Sequence, residues 1–276
     1  MPDLDSLVEE LLAIFSGSLK EIRSLLKDLY IEDVSNINVE EYEKQLQAVL
    51  EELTKKTDTW AETAMKLAVI HGVAHATFSI DELKTIEDAL EIVEGKELAK
   101  IHTDYMSAAI ADTQSDLLAV TNNVSRKTKA LIRKVVADTL RKQLVKGDTS
   151  VRQSQALLDK ALRQQLKEAA DSVIVDAAGR KWKLKTYVDM VARTKSMIVS
   201  RDSTINEALS REVYYGRISK HNAIDACKNW EGRIVKLYRD APGDFVYIGD
   251  IPNKELFHPN CRHTVTAIRN VDKYIN

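Results

Sequence analysis

Phe257-His258-Pro259-Asn260-Cys261-Arg262-His263 is the stretch on which the reading of the C-terminal part of this chain turns. Pro259 and Asn260 are turn formers, and around them stand one thiol and two imidazoles within six residues. The second of the two cysteines, Cys227, lies 34 residues upstream in Asp225-Ala226-Cys227-Lys228-Asn229-Trp230-Glu231-Gly232. A thiolate from each segment with two imidazoles suits tetrahedral zinc, which holds loops together where apolar burial is scarce. The ligands would be Cys227, Cys261 and two of His258, His263 and His221. The competing reading packs both cysteines in a core while His258 and His263 bond backbone groups of the turn. Either way the segment ties two loops together. Two cysteines at this spacing make no disulfide framework and fit a reducing compartment.

Outward from this stretch the pattern is short and strand-like. Thr264 to Ile268 is a strand candidate, as are residues 232–238 and 217–219, with a turn at Asp240-Ala241-Pro242-Gly243-Asp244. Residues 173–184 read as a hairpin turning at Ala178-Gly179, and Thr186 as the cap of a helix over 187–215. The segment 173–276 is therefore expected to be a small α+β module.

Upstream of residue 173 apolar positions recur at three and four, the mark of amphipathic helices. Leu7, Leu11, Ile14, Phe15, Leu19, Ile22, Leu25 and Leu26 form the first stripe. A turn over 33–38 precedes a second helix through Tyr42, Leu46, Val49, Leu50 and Leu53, and a third begins near Asp58. Within it His71 and His75 stand at i and i+4, but the zinc-protease pattern needs Glu at position 72, which is Gly72. These histidines read as helix interior. Further helices are expected over 79–93 and 96–120, then a break at Thr121-Asn122-Asn123-Val124-Ser125 with Ser125 as N-cap, a helix over 126–146 and another over 151–170. The fold class is mainly α: an elongated helical region over 1–172 followed by the α+β module over 173–276.

The chain has 276 residues, 44% of them apolar, enough for a packed core, while nine glycines, four prolines and 6% aromatics disfavour an all-β architecture. The first residues lack the basic flank and apolar run of a signal peptide, and no apolar stretch approaches the roughly 18 residues of a membrane span. The expectation is a soluble protein without membrane contact. The net charge of −2 is unevenly spread: residues 1–100 carry 22 Asp/Glu against 10 Lys/Arg, and the remainder 20 against 30. The most basic segment holds Arg126, Lys127, Lys129, Arg133, Lys134, Arg141, Lys142 and Lys146. It is suited to lie along a phosphate backbone without reading sequence, or against an acidic face of a partner or of this chain. No aromatics are interleaved to stack single-stranded bases. There is no phosphate loop, dinucleotide fingerprint or nucleophile elbow.

Asp225-Ala226-Cys227, Trp230-Glu231-Gly232-Arg233 and His258-Pro259-Asn260-Cys261-Arg262-His263, in this order, resemble the C-terminal module of phage minor head proteins. These are the minor capsid protein 2 group and the related phage Mu F-type head-morphogenesis proteins. Residues 187–195, with Asn206, Ala208 and Gly216-Arg217, are similar to the helix preceding the cysteine segment in that group. The likeness covers roughly residues 173 to 268 and weakens back to about 100. Many relatives have Cys-x-x-Cys at the first site and Cys-Arg-Cys at the second; here Trp230 and His263 stand in the second position of each. The resemblance implies a structural, non-enzymatic protein of the virion, recruited to the capsid interior in the host cytoplasm through the portal protein. Other capsid or scaffold proteins and packaged double-stranded DNA are the further partners it implies. Residues Arg126, Lys127, Arg133, Lys134, Arg141, Lys142 and Lys146 would then carry portal or DNA contact, and zinc would be structural. The alternative class is an enzyme, a metal-dependent nuclease or toxin-like effector, with Asp225 or Glu231 as general base.

Overall fold

The computed structural model of the chain describes residues 4–27, 39–146, 173–175 and 181–274. It is mainly α, with long helices before a small antiparallel sheet. The helices are α1 (Leu4–Lys27), α2 (Val39–Ile80), α3 (Ile86–Glu94), α4 (Lys100–Lys146) and α5 (Leu184–Ser210). The strands are β1 (Val173–Val175), β2 (Lys181–Lys183), β3 (Tyr215–Ile218), β4 (Ile234–Lys236) and β5 (Val265–Ile268). The expected turn over 33–38 and helix over 151–170 lie outside the described residues.

Two helices are longer than their sequence pattern implies. The second and third expected helices are one, α2, because residues 54–57 contain no breaker and their hydroxyls fold back onto the helix. Thr54 Oγ1 donates to Leu50 O at 3.0 Å and Thr57 Oγ1 to Thr54 O at 2.9 Å. The expected break at residues 121–125 is likewise absent, and α4 runs through it. Thr121 bonds the Leu117 carbonyl at 3.2 Å, and Thr121 and Val124 are buried, so packing overrides the capping tendency of the Asn and Ser residues. Where a helix does begin, the cap is explicit: Thr85 and Asp88 form a reciprocal capping box at the start of α3.

The chain forms two compact units, each built from two separated segments. One comprises Met1–Trp60 with Gln114–Asp189, the other Ala61–Thr113 with Met190–Asn276. In the first, α1 buries Leu7, Leu11, Phe15 and Ile22, α2 buries Leu46, Leu50, Leu53 and Trp60, and α4 buries Leu117, Val120, Val124 and Ile132. The Trp60 indole donates to the Leu7 carbonyl at 2.9 Å, satisfying the polar edge of a buried ring. Here too β1 pairs antiparallel with β2, Ile174 opposite Trp182.

In the second unit the sheet has the order β4-β3-β5, both pairings antiparallel, with Gly216 between Val235 and Ala267. A Cβ on Gly216 would stand 2.5 Å from Val265 Cγ1, so the central strand needs glycine there. The core joins Ala76 and Ile80 of α2, Ala208 of α5, Ile218, Val235, Leu237, Val265 and Ala267 of the sheet region, and both cysteines. Gly72 of α2 meets α5 so closely that a Cβ would lie 2.1 Å from the Ser200 carbonyl oxygen, while Thr204 Oγ1 donates to Gly72 O at 2.9 Å. The glycine that spoils a protease-like pattern therefore serves helix packing.

Candidate metal centre

Both cysteines are held by turns that the local sequence dictates. Asp225 caps the 3-10 turn Ala226–Asn229, its Oδ1 accepting from Cys227 N at 3.0 Å, and Trp230 N closes the turn on Cys227 O at 2.9 Å. The second loop reverses at Asn260, whose φ of +65° is one that asparagine tolerates, and Cys261 N donates to His258 O at 2.9 Å. Phe257 also has positive φ, +59°, uncommon for a bulky side chain, with the Arg201 guanidinium 4.4 Å above its ring.

These turns bring the two sulfurs 3.8 Å apart and place His263 Nδ1 3.4 Å from Cys261 Sγ. The three ligand atoms lie within 4.8 Å of one another, and so do those of an overlapping group, Asp225, Cys227 and His258. Tetrahedral zinc with Zn–S of about 2.3 Å and Zn–N of about 2.05 Å has S···S and S···N edges of about 3.8 and 3.5 Å. The observed separations match that figure, so the residues present fit the ion. Cys227, Cys261 and His263 thus converge, His258 meets Cys227 only in the second group, with Asp225, and His221 belongs to neither group and packs edge-on against His263, centroids 4.9 Å apart.

Two carboxylates orient the imidazoles. Glu231 Oε1 accepts from His221 N at 2.6 Å, from Ala223 N at 3.0 Å and faces His263 Nε2 at 3.1 Å. A proton on Nε2 leaves the Nδ1 lone pair directed at the thiol side. The two backbone N–H groups, with His263 after them, hold the Glu231 carboxyl down to about 2. Asp225 Oδ2 lies 3.1 Å from His258 Nε2, and His258 Nδ1 lies 2.9 Å from Pro259 O. Asp225 is also held below its ordinary range, chiefly by the Cys227 N–H. Burial, followed by the adjacent Cys261, pushes the Cys227 thiol up to about 12, so a metal must displace a proton there. Sequence reading weighed Asp225 and Glu231 only as general bases. Their observed partners make them positioning groups of the carboxylate–histidine kind, and Glu231 at an aromatic-Glu-Gly turn was the signal available.

The basic segment lies on α4. Arg133 forms a two-pronged pair with Glu43 of α2, Nε to Oε1 at 2.8 Å and Nη2 to Oε2 at 3.1 Å. Lys129 Nζ reaches Gln47 Oε1 at 3.4 Å, and Arg126 bonds Asn123 at 3.1 Å. Burial, followed by Arg126, lowers the Lys127 pKa, and Lys134 and Arg141 are exposed. The side chains of Lys142 and Lys146 lie outside the described residues. Part of the charge on this helix thus faces the chain's own acidic α2. Sequence reading found no trace of the polar network of the second unit. Asp81 pairs with Arg211, whose neighbour Glu207 receives the buried His102 at 2.9 Å, beside a cavity of about 410 Å³. His102 and Glu207, like Asp81 and Arg211, are over a hundred residues apart in the chain. His71 and His75 join no metal-capable group among the described residues.

The features define a helical protein whose C-terminal sheet carries a cysteine–histidine knuckle pair. The profile of the family described as phage minor capsid protein 2 matches residues 17–270, and the chain belongs to that family. It is thus a phage capsid protein, of a structural family, whose place is the virion and whose partners are other phage head proteins. Neither a curated protein nor a solved structure matches the chain. Among the described residues no helix is long and apolar enough to cross a membrane.

Proposed function

We propose that this minor capsid protein is a non-enzymatic assembly component that binds the portal inside the procapsid and assists head morphogenesis, DNA packaging or ejection. The observation that carries the reading is the family match over residues 17–270, which spans the helical part as well as the knuckle module. Residues 1–172 act as the assembly arm, its stretch 61–113 forming one compact unit with residues 190–276 of the module over 173–276 that anchors it. On the arm, the side of α4 that exposes Lys134 is the face offered to the portal or to duplex DNA, while Arg133 is engaged by Glu43. Zinc bound by Cys227, Cys261 and His263, with His258 as fourth ligand once its ring turns away from Asp225 or Pro259 O, locks the two loops of the module, supported by sulfur and nitrogen separations among the first three that suit the ion. The carboxylates nearest this centre are spent on orientation, which favours a structural over a hydrolytic role: Glu231 Oε1 faces three N–H donors and Asp225 bridges Cys227 N and His258.

Co-expression with the portal protein of the same phage tests the reading. The expected result is co-sedimentation with portal rings and with procapsids assembled around them. Procapsids that assemble with their full portal complement and contain none of this protein would overturn it.

A further inference from the structure

Three properties of the knuckle pair set it apart from a metal site that only holds metal. Its two sulfurs face each other at 3.8 Å. They are the only two cysteines in the chain, so no third thiol competes for pairing. Each sits on a turn, the 3-10 turn Ala226–Asn229 and the Asn260 reversal, where rotation of side chains can close a gap of that size. A disulfide needs an S–S distance of about 2.05 Å, so the sulfurs must approach by roughly 1.8 Å. Cys261 is the more accessible of the two, 9% exposed against 1% for Cys227, which makes it the first sulfur a small oxidant meets.

We infer that the centre is a redox-convertible lock: a peroxide-class oxidant turns the Cys227 and Cys261 thiolates into a disulfide, zinc leaves, and the same two loops stay tied covalently. This rests on the metal reading above. The electron balance is closed. The Cys261 sulfur attacks the O–O bond of hydrogen peroxide; an S–O bond forms, O–O breaks, and the departing hydroxide takes a proton and leaves as water. The Cys227 sulfur then attacks the Cys261 sulfur; S–S forms, S–O breaks, and the second hydroxide leaves as water after protonation. Two electrons pass from the sulfurs to peroxide. A disulfide sulfur no longer ligates as a thiolate, so the ion loses both of its sulfur ligands and is released. The pair thus answers two environments with one geometry. A reducing cell interior favours thiolates and metal, whereas a virion outside the cell meets conditions where disulfides persist.

The test uses the full chain purified under reductant, with no substitution. Zinc is measured in the starting material; hydrogen peroxide is then added after reductant removal, with zinc release followed by a chromogenic chelator and the Cys227 and Cys261 peptides examined by mass spectrometry. The expected result is loss of about one equivalent of zinc per chain together with an intramolecular Cys227–Cys261 disulfide, both reversed by dithiothreitol and added zinc. Zinc that stays bound under peroxide, or zinc lost with sulfinic acids or intermolecular disulfides in place of the internal pair, overturns the conversion and leaves the metal reading standing. Zinc-free starting material with both thiols reduced overturns the metal reading, and the conversion with it.

Discussion

Gly72→Ala is the substitution through which the packing of the second unit is most directly tested. A Cβ at this position would lie 2.1 Å from the Ser200 carbonyl oxygen and 2.6 Å from Ser203 Cβ. Both obstacles belong to α5, and the nearer is backbone, which cannot rotate away. Restoring ordinary contact requires α2 and α5 to part by about 1 Å, an overpacking cost of roughly 1–3 kcal/mol. The Thr204 Oγ1 bond to Gly72 O is stretched or lost, about another 1 kcal/mol, although Thr204 keeps its bond to Ser200 O at 3.0 Å. Against this, alanine gains about 1 kcal/mol of helix propensity. The net expectation is destabilisation by about 1–3 kcal/mol, lowering Tm by roughly 2–4 °C for each kcal/mol in a chain of this size. Gly17→Ala in α1 is the internal control: nothing lies within 4 Å of its Cβ, so only the propensity gain remains and stability should rise by about 0.5–1 kcal/mol. Thermal and urea unfolding followed by far-ultraviolet circular dichroism should therefore give opposite signs for one chemical change. If Gly72→Ala raises the midpoint as Gly17→Ala does, the helices do not meet at Gly72 and the argument fails.

Zinc affinity should rise with pH across the neutral range, by up to about tenfold per pH unit for each proton displaced, because the Cys227 thiol is pushed up to about 12 in the metal-free protein. Competition titrations at several pH values check this, and a flat profile would remove the thiols from the ligand set. In the metal-free protein the Glu231 carboxyl is depressed from 4.5 to about 2, so its stabilising contribution is complete above the ordinary glutamate range and is lost as pH falls through that window. Glu231→Gln should flatten the acid limb of a pH–stability curve there and weaken zinc binding by about tenfold or more, since the uncharged amide supports the His263 tautomer less well. Charge reversal at Lys134 should reduce recovery with portal rings, or the salt-dependent retention of duplex DNA, while the far-ultraviolet spectrum stays unchanged. Unaltered recovery and retention would move the contact face off α4.

The local sequence determined the helical character of the chain, the β1–β2 hairpin, the strands flanking the cysteines and the residues that form the knuckle pair. Those features follow from periodicity and turn chemistry within a few residues, as in the Leu7, Leu11, Phe15 stripe or the Asn260 reversal. Only the tertiary structure decided that α2 and α4 run unbroken through threonine- and asparagine-rich stretches, because burial of Thr57, Thr121 and Val124 outweighs local capping preferences. It alone assigned Glu231 to His263, 32 residues away, and Asp225 to His258, 33 residues away, turning two candidate bases into orienting groups. It also set the role of Gly72, since a missing Cβ matters only where another helix arrives. Interactions between distant residues depend on how apolar faces pair in space, and periodicity along the chain does not carry that information.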